Sequence, residues 1–305
     1  MIGPIAIVLS QQTPEEFKTT NSSAYESCKY LAKMASTRNI DLCWVFRDKT
    51  FHNGTFNSYW TFNSDGMVKK NESIVPKLIV LRLRSTVLDT EKRLNNTYLS
   101  TLCRDKLKSY EMFPEFVKKT LLLTSKNLPE IKNLHTDLVV VKPRYGMEGK
   151  NINIVKREDV TDAVLERFKD DEYIVQELID SSSGIGNILK QRHELRIYIF
   201  NGRIQSGYLR VPAEGSYISN ISLGAKEKMI DLQDVPDSAF NLIKKVDQQF
   251  TDIFPRMYCI DIMFENGKPW LVELNDTPGF PDLAVGQFTI DWHNALLDLF
   301  SESVN

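Results

Sequence analysis

The chain has 305 residues, well beyond the ~150 of one typical compact domain, so two or three subdomains are expected. Hydrophobic residues make up 42% and charged residues 26%, which excludes a disordered or fibrous chain and supplies enough apolar material for a core. Lys+Arg 38 against Asp+Glu 40 leaves a formal charge of −2, which argues against a nucleic-acid partner while leaving room for a local basic pocket.

Residues 5–9 (Ile-Ala-Ile-Val-Leu) form a short apolar run rich in β-branched side chains, which predicts a buried strand. A polar loop follows. Residues 24–36 place Tyr25, Cys28, Leu31, Ala32 and Ala35 at helical spacing. Residues 42–46 predict a second strand, and residues 59–62 and 67–68 flank Asn63-Ser64-Asp65-Gly66, a hairpin signal. Residues 78–83 predict a third buried strand, so the first ~100 residues alternate strands and helices as an open α/β layer does. Residues 105–117 have helical spacing that Pro114 ends or kinks. Beyond them the pattern turns antiparallel. Residues 138–142 and 151–155 predict a hairpin with a Gly-rich basic tip, 162–168 a helix and 173–178 a strand, followed by a Ser/Gly loop at 181–186. Strands are expected at 194–200, 203–211 and 258–264, and Gly267-Lys268-Pro269 turns the last of these into residues 270–275. No apolar run approaches the ~20 residues of a membrane span and Met1-Ile2-Gly3-Pro4 starts no signal peptide, so a cytoplasmic protein with no membrane partner is expected. Cys28, Cys43, Cys103 and Cys259 lack CxxC spacing, so reduced, mostly buried thiols are expected rather than a zinc site.

The most informative chemistry lies in the last two strands. As neighbours joined by a tight turn, they place Asp261 opposite the Glu273/Asn275 region, and alternation puts Glu273 and Asn275 on one face. Two carboxylates and an amide oxygen form a hard oxygen-only set suited to Mg²⁺, which commonly also binds substrate phosphates. The bland alternative is three solvated strand-end residues, against which the apolar flanks argue. Lys142-Pro143-Arg144-Tyr145-Gly146-Met147-Glu148-Gly149-Lys150 combines a fixed cation with glycines that let backbone N–H groups approach phosphate, or is simply an exposed hairpin. Gln176-Glu177-Leu178 leaves an apolar strand at a loop, where backbone groups and one carboxylate can meet an adenosine. Arg196 and Arg210 stand in successive apolar strands, where arginines pair with phosphates or with internal acids.

In this order, with Asp105-Lys106-Leu107 ahead and Glu273-Leu274-Asn275-Asp276-Thr277-Pro278-Gly279 at the end, the pieces resemble the ATP-grasp superfamily of carboxylate–amine ligases. The similarity is to its glutathione-synthetase-like branch, which includes the ribosomal-protein glutamate ligase (RimK-like), and it covers about residues 103–290 by motif. The resemblance implies an α/β plus α+β fold. An N-terminal open α/β (pre-ATP-grasp) domain at 1–103 would precede two ATP-clamping α+β lobes, a small lobe with the lid hairpin at 104–180 and a large lobe with the metal site at 181–305. By the same resemblance Lys106 and Lys142 contact ATP phosphates, and Gly146 and Gly149 lie in the lid. Gln176, Glu177 and Leu178 read adenine and ribose, with Met263 an apolar floor. Asp261, Glu273 and Asn275 hold one or two Mg²⁺ ions, which Mn²⁺ can replace. Arg210, with Arg196 and Lys142, would carry catalysis, and Arg196, Arg210 and Asn220 would meet substrate. The implied reaction is ADP-forming amide or peptide bond synthesis through an acyl phosphate, on an amino acid or peptide, including a ribosomal peptide or protein side chain. Homodimeric and homotetrameric assembly both stay open, as do two alternatives: an ATP-grasp-like small-molecule kinase and a nucleotide-binding regulatory protein without turnover. Departures from the pattern are Pro143-Arg144-Tyr145 before the lid glycines, Pro114 in the linker helix, and a long loop at 181–191 that puts the ribose contact in doubt.

Overall fold

The computed structural model describes residues 2–47, 49–83, 88, 90–146, 149–168 and 172–304. Among them, three larger sheets and a small hairpin carry the fold. The first sheet contains β1 (Ile2–Leu9) and β2 (Ile40–Phe46), which are parallel. The hairpin β3 (Phe51–His52) and β4 (Thr55–Phe56) stands apart, and β5 (Tyr59–Phe62), β6 (Met67–Lys70) and β7 (Leu78–Leu81) complete the sheet in the order β6-β5-β2-β1-β7. Residues 5–8 of β1 are fully buried, which is why that segment reads as an unbroken apolar run rather than an alternating one. β5 and β6 pair antiparallel around the Asn63–Gly66 turn, where the Asn63 side chain accepts from the Asp65 and Gly66 N–H groups.

The expected polar loop after β1 contains a helix, α1 (Pro14–Thr20). Thr13 caps it by accepting from the Glu16 N–H, and Pro14 stands at the start, where a missing N–H costs nothing. Its signal was capping chemistry, too short to show apolar periodicity. α2 (Ser22–Thr37) follows, capped by Asn21 and burying Tyr25, Cys28, Leu31 and Ala35 on the expected face. Next come α3 (Thr97–Arg104) and α4 (Lys106–Met112), with Asp105 between them as the C-cap of one and the N-cap of the other. α4 stops at Met112, two residues before Pro114, rather than kinking there.

The second sheet is antiparallel, in the order β10-β9-β11-β8, from β8 (Thr120–Leu122), β9 (Leu138–Pro143), β10 (Asn153–Lys156) and β11 (Tyr173–Glu177). The short helices α5 (Leu128–Ile131) and α6 (Asp162–Arg167) accompany it. Val139, Val141, Tyr173 and Val175 turn one face into a small core. The third sheet runs β14-β13-β12-β15-β16, from β12 (Glu194–Phe200), β13 (Arg203–Val211), β14 (Lys226–Met229), β15 (Met257–Glu265) and β16 (Lys268–Asn275). α7 (Asp237–Asp247) packs Ala239, Leu242, Ile243 and Val246 with its apolar face. α8 (Gln287–Val304) brings Trp292, Leu296, Leu297 and Phe300 into one core with Ile5 and Ile7 of β1 and with Tyr198 and Phe200 of β12. The last helix therefore ties the first sheet to the third. No helix of the described residues is long and apolar enough to cross a membrane.

Candidate active site

The register of the third sheet assembles the charged groups. Glu194 pairs with Arg210, Arg196 with Asp261, Asp261 with Glu273, and Cys259 with Asn275. Paired residues share a face and residues two apart share a face. One face of four adjacent strands therefore carries Arg210, Glu194, Arg196, Asp261, Glu273 and Asn275. Leu195, Ile197, Ile260 and Leu274 fill the opposite face with core. The register shift between Asp261 and Ile262 keeps Glu273 opposite Asp261 while the rest of the hairpin stays in alternation.

Asp261 is 1% exposed and takes two bonds from Arg196, Nε to Oδ1 at 2.7 Å and Nη2 to Oδ2 at 2.6 Å, with Arg210 also on Oδ2. Arg210 pairs in addition with Glu194. Burial would push the Asp261 carboxyl up, but the two guanidinium groups outweigh it and hold it below its usual range. Burial, with Asp261 and Glu273 nearby, pushes Glu194 up in spite of Arg210. The internal acid pairing is thus present for both arginines, and each also lines a cavity of about 570 Å³.

The second sheet faces the same region. Alternation puts Val140, Lys142 and Gln176 on the face away from the Val139/Val141 core. Lys142 Nζ donates to the Tyr110 hydroxyl at 2.9 Å and to Gln176 Oε1 at 2.8 Å, and Gln176 is held in turn by donating to Thr120 Oγ1 at 2.9 Å. Burial, with Lys106 nearby, lowers the Lys142 pKa to about 7 despite Glu273 and Glu194. Lys106, the first residue of α4, donates to the Gly146 carbonyl at 2.6 Å and lies 3.8 Å from Glu273. Arg144 forks onto Asp105 through two 2.7 Å bonds and fastens the base of the glycine loop to the start of α4. Gly149 has φ +66°, and a Cβ there would stand 2.9 Å from Asn220 Nδ2, so the loop tip lies directly on Asn220. Met147 and Glu148 of the same motif lie outside the described residues.

A smaller cavity of about 90 Å³ brings together Lys142, Gln176, Glu177, Leu178 and Met263. Gly146, Gly149, Arg196, Arg210, Asn220, Glu273 and Asn275 line the larger one. The two are neighbours across the Glu194–Arg210 pair, since Glu194 lines the small cavity and Arg210 the large one. Two sequence-based expectations differ in detail. The Glu177 carboxylate accepts from the His135 N–H at 2.7 Å and so is engaged by backbone. Asp261 lies behind its arginines and lines neither cavity. Glu194, Tyr110 and Tyr217 complete the site without having been read from the sequence. For Glu194 a signal existed, because it stands two residues before Arg196 on an alternating strand. Tyr110 donates to the Val272 carbonyl, a contact between α4 and β16 with no local signature.

Residues 104–298 match the RimK-like ATP-grasp domain. The chain belongs to the RimK-like ATP-grasp family. A curated relative, a probable alpha-L-glutamate ligase of Syntrophotalea carbinolica, is 25% identical over 143 residues, which is 46% of this chain and 43% of the relative. The chain thus matches less than half the length of that relative. Among solved structures, D-alanyl-alanine synthetase A from Vibrio cholerae superposes with TM-score 0.65 at 12% identity, over 100% of this chain and 99% of that one. The ATP-grasp ligase PsnB, complexed with a minimal precursor, gives TM-score 0.62 at 15% identity, over 99% and 98%. These likenesses establish the ATP-grasp fold, with mixed helix and sheet as expected.

The ATP-grasp residues suit a hard divalent cation by their donor atoms. Glu273 has a 29% exposed carboxylate with Lys106 3.8 Å away, and among the described residues Asn275 Oδ1 accepts only from Thr277 within its own turn. Both offer oxygen to the large cavity, as Mg²⁺ requires. Asp261 matches the set by donor type and stands opposite Glu273, but it lines neither cavity and guanidinium groups already use both its oxygens.

Proposed function

We propose that this RimK-like ATP-grasp protein is an ATP-dependent carboxylate–amine ligase, acting on an amino acid or peptide and releasing ADP and phosphate. The observation that carries this reading is the adjacency of the two cavities. A small slot lined by Met263 and Lys142 stands beside a larger chamber rich in arginine and carboxylate, with the Glu194–Arg210 pair between them. The slot suits adenosine, with Gln176, Glu177 and Leu178 contributing backbone groups at its rim. Lys106, Lys142 and the Gly146/Gly149 loop are assigned to the phosphates. Arg196, Arg210 and Asn220 are assigned to the carboxylate undergoing transfer. In domain terms the reading keeps 1–103 as the preceding α/β unit, 104–180 as the lobe with the lid, and 181–305 as the lobe with the acids.

The chemistry follows from the leaving group. A carboxylate resists attack by an amine because oxide cannot depart. Transfer of the γ-phosphoryl group to it breaks the bond to ADP and forms an acyl phosphate. The amine then adds, phosphate departs and a proton is released. Phosphoryl transfer is mainly positioning and charge neutralisation, so fixed cations carry it without a covalent nucleophile. Mg²⁺, held by Glu273 and Asn275 with Asp261 behind them, would neutralise phosphate charge. Arg210 and Arg196 already stand desolvated and oriented by Asp261, so little reorganisation is needed as charge develops on the acyl phosphate. The Gly146/Gly149 loop would exclude the water that hydrolyses such a species. The amine can approach from a neighbouring cavity of about 430 Å³, where Glu227 and Asp282 favour a cationic group.

An ADP-release screen over amino acids and peptides, with mass spectrometry of the product, tests the reading. ADP release that needs both a carboxylate and an amine, with a product one water lighter than their sum, is expected. A stable phosphoester formed without amine would make the protein a kinase, and nucleotide binding with no substrate-dependent release would make it a regulatory binder.

A further inference from the structure

Of the four arginines lining the large cavity, three have acids among the described residues. Arg196 and Arg210 share Asp261, and Arg104 lies 3.9 Å from Asp276. Arg82 differs. No carboxylate of a described residue lies within ion-pairing distance of it; burial works against its charge, and Asp276 offsets this only from beyond that distance. Its guanidinium carbon lies 4.7 Å from the centre of the Phe280 ring. A ring face accepts no ordinary hydrogen bond, so this contact leaves the guanidinium donors to other acceptors, and the planar fork matches a carboxylate.

The place of Arg82 in the fold points the same way. It directly follows β7, and its N–H donates to the Val8 carbonyl of β1 at 2.8 Å. β1 is flanked by β2 on one side and β7 on the other, so the chain leaves β1 in one direction and returns across it in the other. The crevice beyond the carboxyl ends of β1 and β7 is therefore a topological switch point, where open α/β sheets bind ligands. Leu9, Ser10 and Gln11 from the end of β1 line the cavity there. So do Asn21, Ser23 and Ala24 at the start of the 16-residue helix α2, whose N-terminal dipole favours an anion.

We propose that this crevice is an anion subsite in which Arg82 holds an unreacted carboxylate of one substrate, so that the substrate beside the first sheet is a free amino acid or a peptide C terminus. The inference rests on the ligase reading and adds to it. An internal protein side chain has no such carboxylate to offer and is disfavoured. The phosphates are assigned to the lysine and glycine-loop side, and the carboxylate undergoing transfer to Arg210, so neither of these substrate anions is left to Arg82.

The test uses matched pairs in the ADP-release assay, each amino acid as free acid and as α-carboxamide, and each of several peptides with and without C-terminal amidation. Wild type should prefer the free-acid member at least thirtyfold in kcat/KM. Arg82→Gln should reduce that preference to threefold or less, chiefly through KM, and Arg82→Lys should fall between. Equal use of acid and amide by wild type, or an unchanged preference in Arg82→Gln, overturns the subsite. Should no pair release ADP, the ligase reading fails and the subsite is judged by titrating glutarate into the Mg·ADP-loaded protein. Binding weakened at least tenfold by Arg82→Gln then supports it, and no glutarate binding to wild type, or equal binding to both proteins, overturns it. Free amino acids active where peptides are not, or the reverse, identify which source supplies the carboxylate.

Discussion

Nucleotide binding should be linked to proton uptake at Lys142. With a pKa near 7 instead of 10.5, the side chain reflects about 5 kcal/mol of unfavourable burial and repulsion by Lys106. At pH 8 only about a tenth of it carries a proton in the nucleotide-free protein, by the same arithmetic. A phosphate brought to ~4 Å contributes ~4 kcal/mol at an effective dielectric of ~20, enough to restore most of the lost shift. Lys142 should then take up about 0.9 proton on binding at pH 8 and about 0.1 at pH 6. Calorimetry of Mg·ADP binding in buffers of different ionisation enthalpy measures this directly. Glu194, whose carboxyl is pushed up to about 8, also faces the slot and adds uptake of its own, so Glu194→Gln should retain the Lys142 share and Lys142→Met should lose it. Stability supplies a second reading. Between pH 7 and 10.5 the unfolded chain binds the proton that folded Lys142 lacks, so stability rises with pH across that window. Lys142→Met should flatten that rise. No proton uptake at pH 8, or equal uptake in wild type and Lys142→Met, would refute the assignment of Lys142 to a phosphate.

Asp261→Asn removes the counter-charge of two buried arginines, so it should cost ~3–5 kcal/mol in denaturant unfolding as well as lower Mg·ATP turnover; wild-type stability would show that Arg196 and Arg210 find other partners. Gly149→Ala adds a Cβ 2.9 Å from Asn220 in a left-handed conformation and should raise KM for ATP severalfold with little change in Tm; an unchanged KM would separate the loop tip from the nucleotide. Leu297→Ala in α8 empties a fully buried position in the core shared by the first and third sheets and should cost ~2–5 kcal/mol, seen as a lower urea midpoint; a neutral result would mean that α8 does not tie those sheets together.

The residues that alternation controls were legible in the sequence, and the contacts that depend on chain folding in space were not. Glu273 and Asn275 share a face by the period of two, a local rule, but Asp261 joins them only through the register shift beside Ile262: counted back unbroken from the Glu265–Lys268 pair, Asp261 would stand opposite Val272. The same rule applied to β12 would have added Glu194 to Arg196. The α8 apolar pattern at Trp292, Leu296, Leu297 and Phe300 was equally readable as a helix, but nothing local says that its partners are β1 and β12. The charge pairing was open for a different reason. An arginine in an apolar strand needs an anion, and the sequence contains both internal acids and a motif for phosphates. Register decides between them for the protein without nucleotide: Arg196 stands opposite Asp261, and Arg210 opposite Glu194, so an acid is always within reach. A phosphate arriving at Arg210 therefore competes with fixed carboxylates rather than filling an empty site, so its binding is weakened by the attraction it displaces. That arrangement favours a species whose charge grows during the reaction over the ground-state carboxylate, as transition-state stabilisation requires. Arg82 has no ion-paired acid among the described residues, only the more distant pull of Asp276, so an arriving carboxylate displaces no salt bridge there and ground-state binding is favoured. The two kinds of arginine thus divide substrate capture from chemistry, a distinction that rests on which acids stand nearby and not on residue type.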